Sequence, residues 1–342
     1  MITIKDIAKK AGVSTSTVSR ALNNHQDISK ETKEKILKVL KDNNYTPNAL
    51  ARSLIQKKTY TIGLLLPEFT GNFYPNIAQV IEDVLSKYGY YTIYGITNGS
   101  KTKEKQLLNY MLERKLDGIV VTPEFMGHGL LRLIQNKNVP VIFLRRRPPK
   151  ELDVPFVDVH YYDGAYKAIE YLVSLEHKEI GFIGMPENSI AGKERYKGYS
   201  DAIENNNLDK IYVIAKDKSI ESGRSAMEKL FTQNPSITAV FAAHDYLAVG
   251  ALEWLEMKGV SVPENMSIIG FGNLEIANLY WTNLTTVAQP LREMGAEVAN
   301  ILLNKLGEKE YTVTNSLKQT KLVIRNSCQS RSKQTDLKNK KL

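Results

Sequence analysis

The residues best suited to chemistry in this chain lie in AGVSTSTVSRALN, residues 11–23. Thr15, Ser16, Thr17, Ser19 and Arg20 place four short hydroxyls and one guanidinium on a single short predicted helix. Hydroxyls donate and accept hydrogen bonds at close range, and a guanidinium pairs bidentately with guanine or with phosphate, so the pattern suits a nucleic-acid groove. Catalysis is poorly served by comparison. The five histidines, His25, His128, His160, His177 and His244, show no metal-pair spacing, and no G-x-S-x-G, Walker A or G-x-G-x-x-G stretch occurs. His244 beside Asp245 is the best acid–base pair available. The chain is therefore expected not to be an enzyme. The lone Cys328 makes no internal disulfide and no ligand cluster, which fits a reducing compartment, and neither metal nor cofactor is expected.

The hydroxyl-rich helix needs a frame. IKDIAKKA, residues 4–11, puts Ile4, Ile7, Ala8 and Ala11 on one helical face, with Thr3 as N-cap and Asp6 completing a capping-box arrangement. Gly12 supplies a tight turn, and Ser14 caps the next helix, in which Val18, Ala21 and Leu22 face inward. A third helix is expected after Ser29, running to about Asn43 and burying Ile36, Leu37, Val39 and Leu40. Two short helices joined by a tight glycine turn make a helix-turn-helix, and the N-terminal residues of its second helix meet base edges in the major groove. NYTPNALARSLIQKKT follows, with Thr46 as a cap, Pro47 at a first helical position, and so few residues that the helix is marginal unless something docks on it.

Charge separates the ends from the body. Residues 1–58 hold 12 Lys and Arg against 5 Asp and Glu, residues 329–342 hold 5 against 1, and the intervening body holds 29 against 31. Basic ends on a near-neutral body point to a polyanion at the ends. No apolar run is long enough to span a membrane, MITIKDIAKK offers no hydrophobic export segment, and a cytoplasmic location is expected.

The body alternates strand and helix patterns. Candidate strands are 61–67, 91–96, 118–123, 139–144, 179–184, 211–215, 239–243 and 267–271, separated by helical stretches such as NIAQVIEDVLSKYGY and GAYKAIEYLVSLEH. That rhythm predicts parallel sheets covered by helices on both faces.

IKDIAKKAGVSTSTVSRALN, SKETKEKILKVLKDNNYTPN and ALARSL together resemble the lactose-repressor and purine-repressor family of bacterial transcription regulators, and the resemblance continues to about residue 328. It implies a small all-α helix-turn-helix domain joined to an α/β two-lobed body like the periplasmic binding proteins. The implied divisions are a headpiece at 1–46, a hinge helix and linker at 47–60, and an effector-binding and dimerisation body at 61–328. Within that body the N-lobe takes about 61–159 and 288–317, and the C-lobe about 160–287 and 318–328. Residues 329–342 lack an apolar heptad repeat and are expected to form a disordered basic tail rather than a tetramerisation segment. The implied partners are a pseudo-palindromic double-stranded operator, a second copy of the chain and a small effector.

By the same resemblance, operator contacts fall to Thr3, Ser14, Thr15, Ser16, Thr17, Arg20 and Asn23, with Asn48, Ala51 and Arg52 around Leu54 as a minor-groove wedge. An inserted apolar side chain kinks the duplex and admits more contacts. The implied effector residues are Glu68, Phe73, Tyr74, Arg145, Arg195, His244, Asp245 and Asn273. Members that take neutral sugars or nucleosides usually carry aspartate where this chain has Arg145 and Gly272, and often asparagine where it has His244. Loss of those acids shifts the expected effector toward an anion such as a sugar phosphate or sugar acid. A regulator answering mainly to a protein co-factor, as in the carbon-catabolite branch, and a plain solute-binding protein are the alternatives.

Overall fold

The computed structural model describes residues 2–22, 27–43, 45, 58–69, 71–123, 133–134, 139–149, 151–186 and 189–332. Asn23, Asn48, Ala51, Arg52 and Leu54 lie outside them. The described chain forms two compact units, residues 1–60 and 61–342.

In the first unit, α1 (Ile4–Ala11), α2 (Thr15–Leu22) and α3 (Lys30–Asp42) enclose a small core of Ile7, Ala8, Ala11, Val18, Ala21, Ile36 and Leu40. Thr3 and Asp6 form a reciprocal capping box at α1, and Gly12 ends that helix in the left-handed conformation at φ 68°. Ser29 caps α3 through the N–H of Thr32. Leu37, expected in this core, is instead 45% exposed. Ile36 and Leu40 are four residues apart and share the inward face, whereas Leu37 is turned about 100° away from Ile36.

The second unit contains two six-stranded sheets. The strands are β1 (Thr61–Leu66), β2 (Tyr91–Ile96), β3 (Gly118–Val121), β4 (Val141–Leu144), β5 (Phe156–Val159) and β6 (Ile180–Gly184). They continue with β7 (Ile211–Ile214), β8 (Ala239–Ala242), β9 (Ser267–Gly272), β10 (Thr285–Ala288), β11 (Asn315–Lys318) and β12 (Lys321–Val323). The first sheet runs β11-β5-β4-β3-β1-β2 and the second β12-β10-β9-β8-β6-β7. The two lobes therefore repeat one strand order. Central strands such as β1, β4, β8 and β9 are apolar runs buried on both faces, as helix-covered parallel sheets require.

The helices are α4 (Phe73–Leu85), α5 (Lys101–Glu113), α6 (Tyr161–Ser174), α7 (Ile190–Asn205), α8 (Ile220–Gln233), α9 (Asp245–Met257) and α10 (Leu291–Lys305). Six of them pack in pairs, α4 on α10 against the first sheet, and α6 on α7 and α8 on α9 against the second, while α5 packs on β1. The chain passes between sheets after β5, after β10 and between β11 and β12. Both sheets are parallel as expected, apart from the short edge strand β12, which runs antiparallel to β10. A strand that returns directly across the seam has no helix to reverse its direction. Contrary to the expectation of a disordered tail from residue 329 onward, residues 329–331 are held to the C-lobe. Gln329 O lies 3.1 Å from His177 Nε2, and the Arg331 N–H donates to Leu175 O.

Candidate functional site

The α2 surface takes its shape from local hydrogen bonds. Ser14 Oγ accepts from the Thr17 N–H at 3.1 Å and lies 2.7 Å from Ser16 Oγ and 2.8 Å from Thr17 Oγ1, so the cap and the hydroxyl cluster are one structure. Thr15, Ser16 and Arg20 are exposed, and Thr17 and Ser19 are half-buried. Arg20 is paired with Asp27 at 3.0 Å, an exposed bridge that costs little to exchange for a phosphate or a base. Thr3 is committed to capping: its N–H and hydroxyl donate to Asp6 at 2.9 and 2.7 Å and hold that carboxylate below its usual pKa.

In the body, side chains gather at the carboxyl ends of strands, where a strand order that reverses leaves a crevice. Phe73 and Tyr74 open α4 after β1, and Arg145 follows β4 with its own backbone at φ 59°. Arg145 donates through Nε to the Tyr161 hydroxyl at 3.1 Å and through Nη1 to the Tyr74 hydroxyl at 2.8 Å, with its guanidinium 4.3 Å from the Phe73 ring centroid. From the other lobe comes Arg195 on α7. Only 1% exposed, it donates through Nη1 to Ala243 O at 2.6 Å and stacks 3.9 Å from the Phe271 centroid and 5.0 Å from that of Tyr161. Burial lowers the Arg195 pKa to about 10, so it remains charged at neutral pH. Among the described residues no carboxylate forms an ion pair with it, and its buried Nε has no hydrogen-bond partner.

The remaining expected residues have internal duties. Asp245 is fully buried, its carboxylate accepting from the Leu274 N–H at 2.7 Å and from Thr286 Oγ1 at 2.5 Å. Burial pushes its pKa up to about 6. His244 caps α9, its Nδ1 accepting from the Tyr246 N–H at 3.3 Å, and burial with the nearby Arg195 charge keeps its ring neutral. Asn273, exposed and at φ 51°, accepts from Arg325 at 2.7 Å. Glu68 is ion-paired with Lys218 across the seam. Arg147 spans the same seam, reaching Glu194 at 3.3 Å and Asp158 at 3.5 Å. The geometry thus brings together Phe73, Tyr74, Arg145, Arg195 and His244, while Glu68, Asp245 and Asn273 brace the surrounding loops. A separate groove of about 290 Å³, lined by neither Arg145 nor Arg195, is bounded by Asn72, Asn76, Asn273, Glu275, Asn278 and Arg325.

Tyr161 and Phe271 were not anticipated. Phe271 ends an apolar strand run and reads as core, and Tyr161 acquires its place only because the chain passes between lobes at that point. An aromatic directly after a strand at an expected crossing was the available signal.

Residues 3–48 match the family described as bacterial regulatory proteins, lacI family, and residues 59–328 match the periplasmic binding proteins and sugar binding domain of the LacI family. The ribose operon repressor of Halalkalibacterium halodurans is 32% identical over 95% of this chain and 96% of its own length. The transcriptional repressor PurR of Haemophilus influenzae strain PittEE is 33% identical over 96% of this chain and 99% of its own. The Lac repressor dimer bound to operator and the anti-inducer ONPF superposes with a TM-score of 0.87, covering 96% of this chain and 99% of that one at 24% identity, a likeness of fold. These relatives are named as repressors, not as enzymes, and no helix among the described residues is long and apolar enough to cross a membrane. With a helix-turn-helix unit ahead of two lobes of one repeated strand order, and with both halves matched over nearly the whole chain, the protein belongs to the LacI family of DNA-binding bacterial regulators.

Proposed function

We propose that this regulator represses a carbohydrate-metabolism operon from the cytoplasm, binding a pseudo-palindromic operator as a homodimer and answering to an anionic sugar derivative held between its lobes. One observation carries the choice of an anion: Arg195 is buried with its charge, no carboxylate pairs with it, and its Nε is unpartnered among the described residues. A desolvated guanidinium in that state is costly, and a phosphate or carboxylate oxygen relieves the cost by a charge-assisted hydrogen bond. Arg145, beside the same tyrosine ring, adds a second positive charge. Asp158 and Asp245 act on these charges only at a distance, and a neutral sugar would leave the Arg195 Nε without a charged acceptor.

On the operator, Thr15, Ser16, Thr17 and Arg20 are assigned to base edges and phosphates, with Ser14 and Thr3 fixing the helices that carry them. Asn23, Asn48, Ala51 and Arg52 complete the contacts, and Leu54 takes the wedge position. The test is a thermal-shift panel of phosphorylated sugars and sugar acids against their neutral parents, repeated with Arg145→Asp. Anions are expected to raise the melting temperature of the wild type and not of the variant, because a ligand that binds only the folded state stabilises it. A rise produced only by neutral sugars would sink the reading.

A further inference from the structure

We propose that Tyr161 is the positioning residue of the inter-lobe site, setting the two arginines as one anion receptor; this rests on the reading of that site as an anion site. Tyr161 is 1% exposed and is the first residue of α6, two residues after β5, where the chain first leaves one sheet for the other. It therefore stands on the segment about which the lobes would turn. Its hydroxyl accepts from Arg145 Nε at 3.1 Å, and its ring lies 5.0 Å from the Arg195 guanidinium carbon. One side chain thus touches a cation carried by each lobe.

Two guanidiniums near one ring repel each other and would splay apart if left unrestrained. Arg145 has further reason to move, since its backbone is held at φ 59°, a conformation that side-chain-bearing residues rarely adopt. The Val157 carbonyl, which accepts from the Arg145 N–H at 2.8 Å, fixes the backbone, and the phenols of Tyr161 and Tyr74 fix the side chain. With Nε and Nη1 occupied, Arg145 shows no hydrogen bond through Nη2 among the described residues, and Arg195 Nε has no partner among them. Tyr161 governs how these donors stand relative to each other, because among the described residues it is the side chain in contact with both guanidiniums, through a hydrogen bond and a ring face. Donors held in a fixed arrangement favour a ligand with several anionic oxygens over one with a single hydroxyl.

The conservative change is Tyr161→Phe, which keeps the ring and removes the hydroxyl, both the acceptor for Arg145 and the donor toward Asp158. Inorganic phosphate is the probe, titrated into the full-length protein by calorimetry. Phosphate affinity is expected to fall by about tenfold, the cost of one charge-assisted hydrogen bond. In an Arg145→Ala background the same change should have no further effect, an outcome that general loosening of the fold would not produce. A ligand-free measurement stands beside it. The Arg145 Nε–H resonance in selectively labelled protein should be protected from exchange in the wild type and lose protection in Tyr161→Phe. Protection that survives the substitution, or phosphate binding that is unchanged by it, overturns the role of Tyr161. Protection lost in the variant, with no phosphate binding to the wild type, overturns the receptor role through the failure of the anion reading and not of the Tyr161–Arg145 contact.

Discussion

Single residues set the acid response of this protein in two opposed ways. Asp245 keeps its proton up to about pH 6 in the folded chain, against an ordinary value of 3.8, so between those values the native state binds more protons than the unfolded one. Its contribution therefore falls as pH rises through that window. His177 does the reverse. It is 1% exposed between Thr238, Ser267 and Gln329, and burial lowers its pKa to about 4 from 6.5. Below pH 6.5 the unfolded chain takes a proton that the native one refuses, and stability is lost as pH falls. The two slopes oppose each other between pH 4 and 6. Urea titrations of Asp245→Asn should show stability rising with pH over that range, and those of His177→Gln should show it falling. Identical slopes in the two variants would contradict both assignments.

At the scale of elements, the arginine of one lobe reaches the tyrosine of the crossing because α6 and α7 approach closely. A Cβ on Gly198 would lie 2.3 Å from Tyr162 O, a backbone atom that cannot yield without moving the start of α6. Gly198→Ala is expected to cost about 1–3 kcal/mol of stability and to weaken ligand binding as well. A melting temperature equal to that of the wild type would show that the helices have slack. The major strands were legible because TIGLLL, VIFL, AVFA and SIIGFG are apolar runs of strand length between helical periods. FVDV, TTVA, NSLK and KLV were not, since these short or polar segments become strands through neighbours distant in sequence. The same limit applies to the site. Arg145 and Arg195 could be nominated from their flanking strand and helix patterns, but their shared contact with Tyr161 depends on a crossing that no local period encodes.

For the whole molecule, the division into residues 1–60 and 61–342 predicts separable activities. A chain lacking residues 1–60 should retain its fold and its ligand-induced thermal shift while losing operator binding in gel-shift assays. Retained operator binding would show that the body itself contacts DNA. The strand order also dictates the sequence in which parts of the molecule can fold during synthesis. The first sheet begins at residue 61 and receives its last strand only at 315–318, and the second waits for 321–323. A ribosome therefore releases a finished three-helix headpiece, able to fold on its small core, long before either lobe can close its sheet. Throughout that interval the nascent protein carries a DNA-reading element with no completed sensor behind it. A message broken upstream of codon 315 would yield a basic headpiece on an unfinished body rather than a weaker regulator.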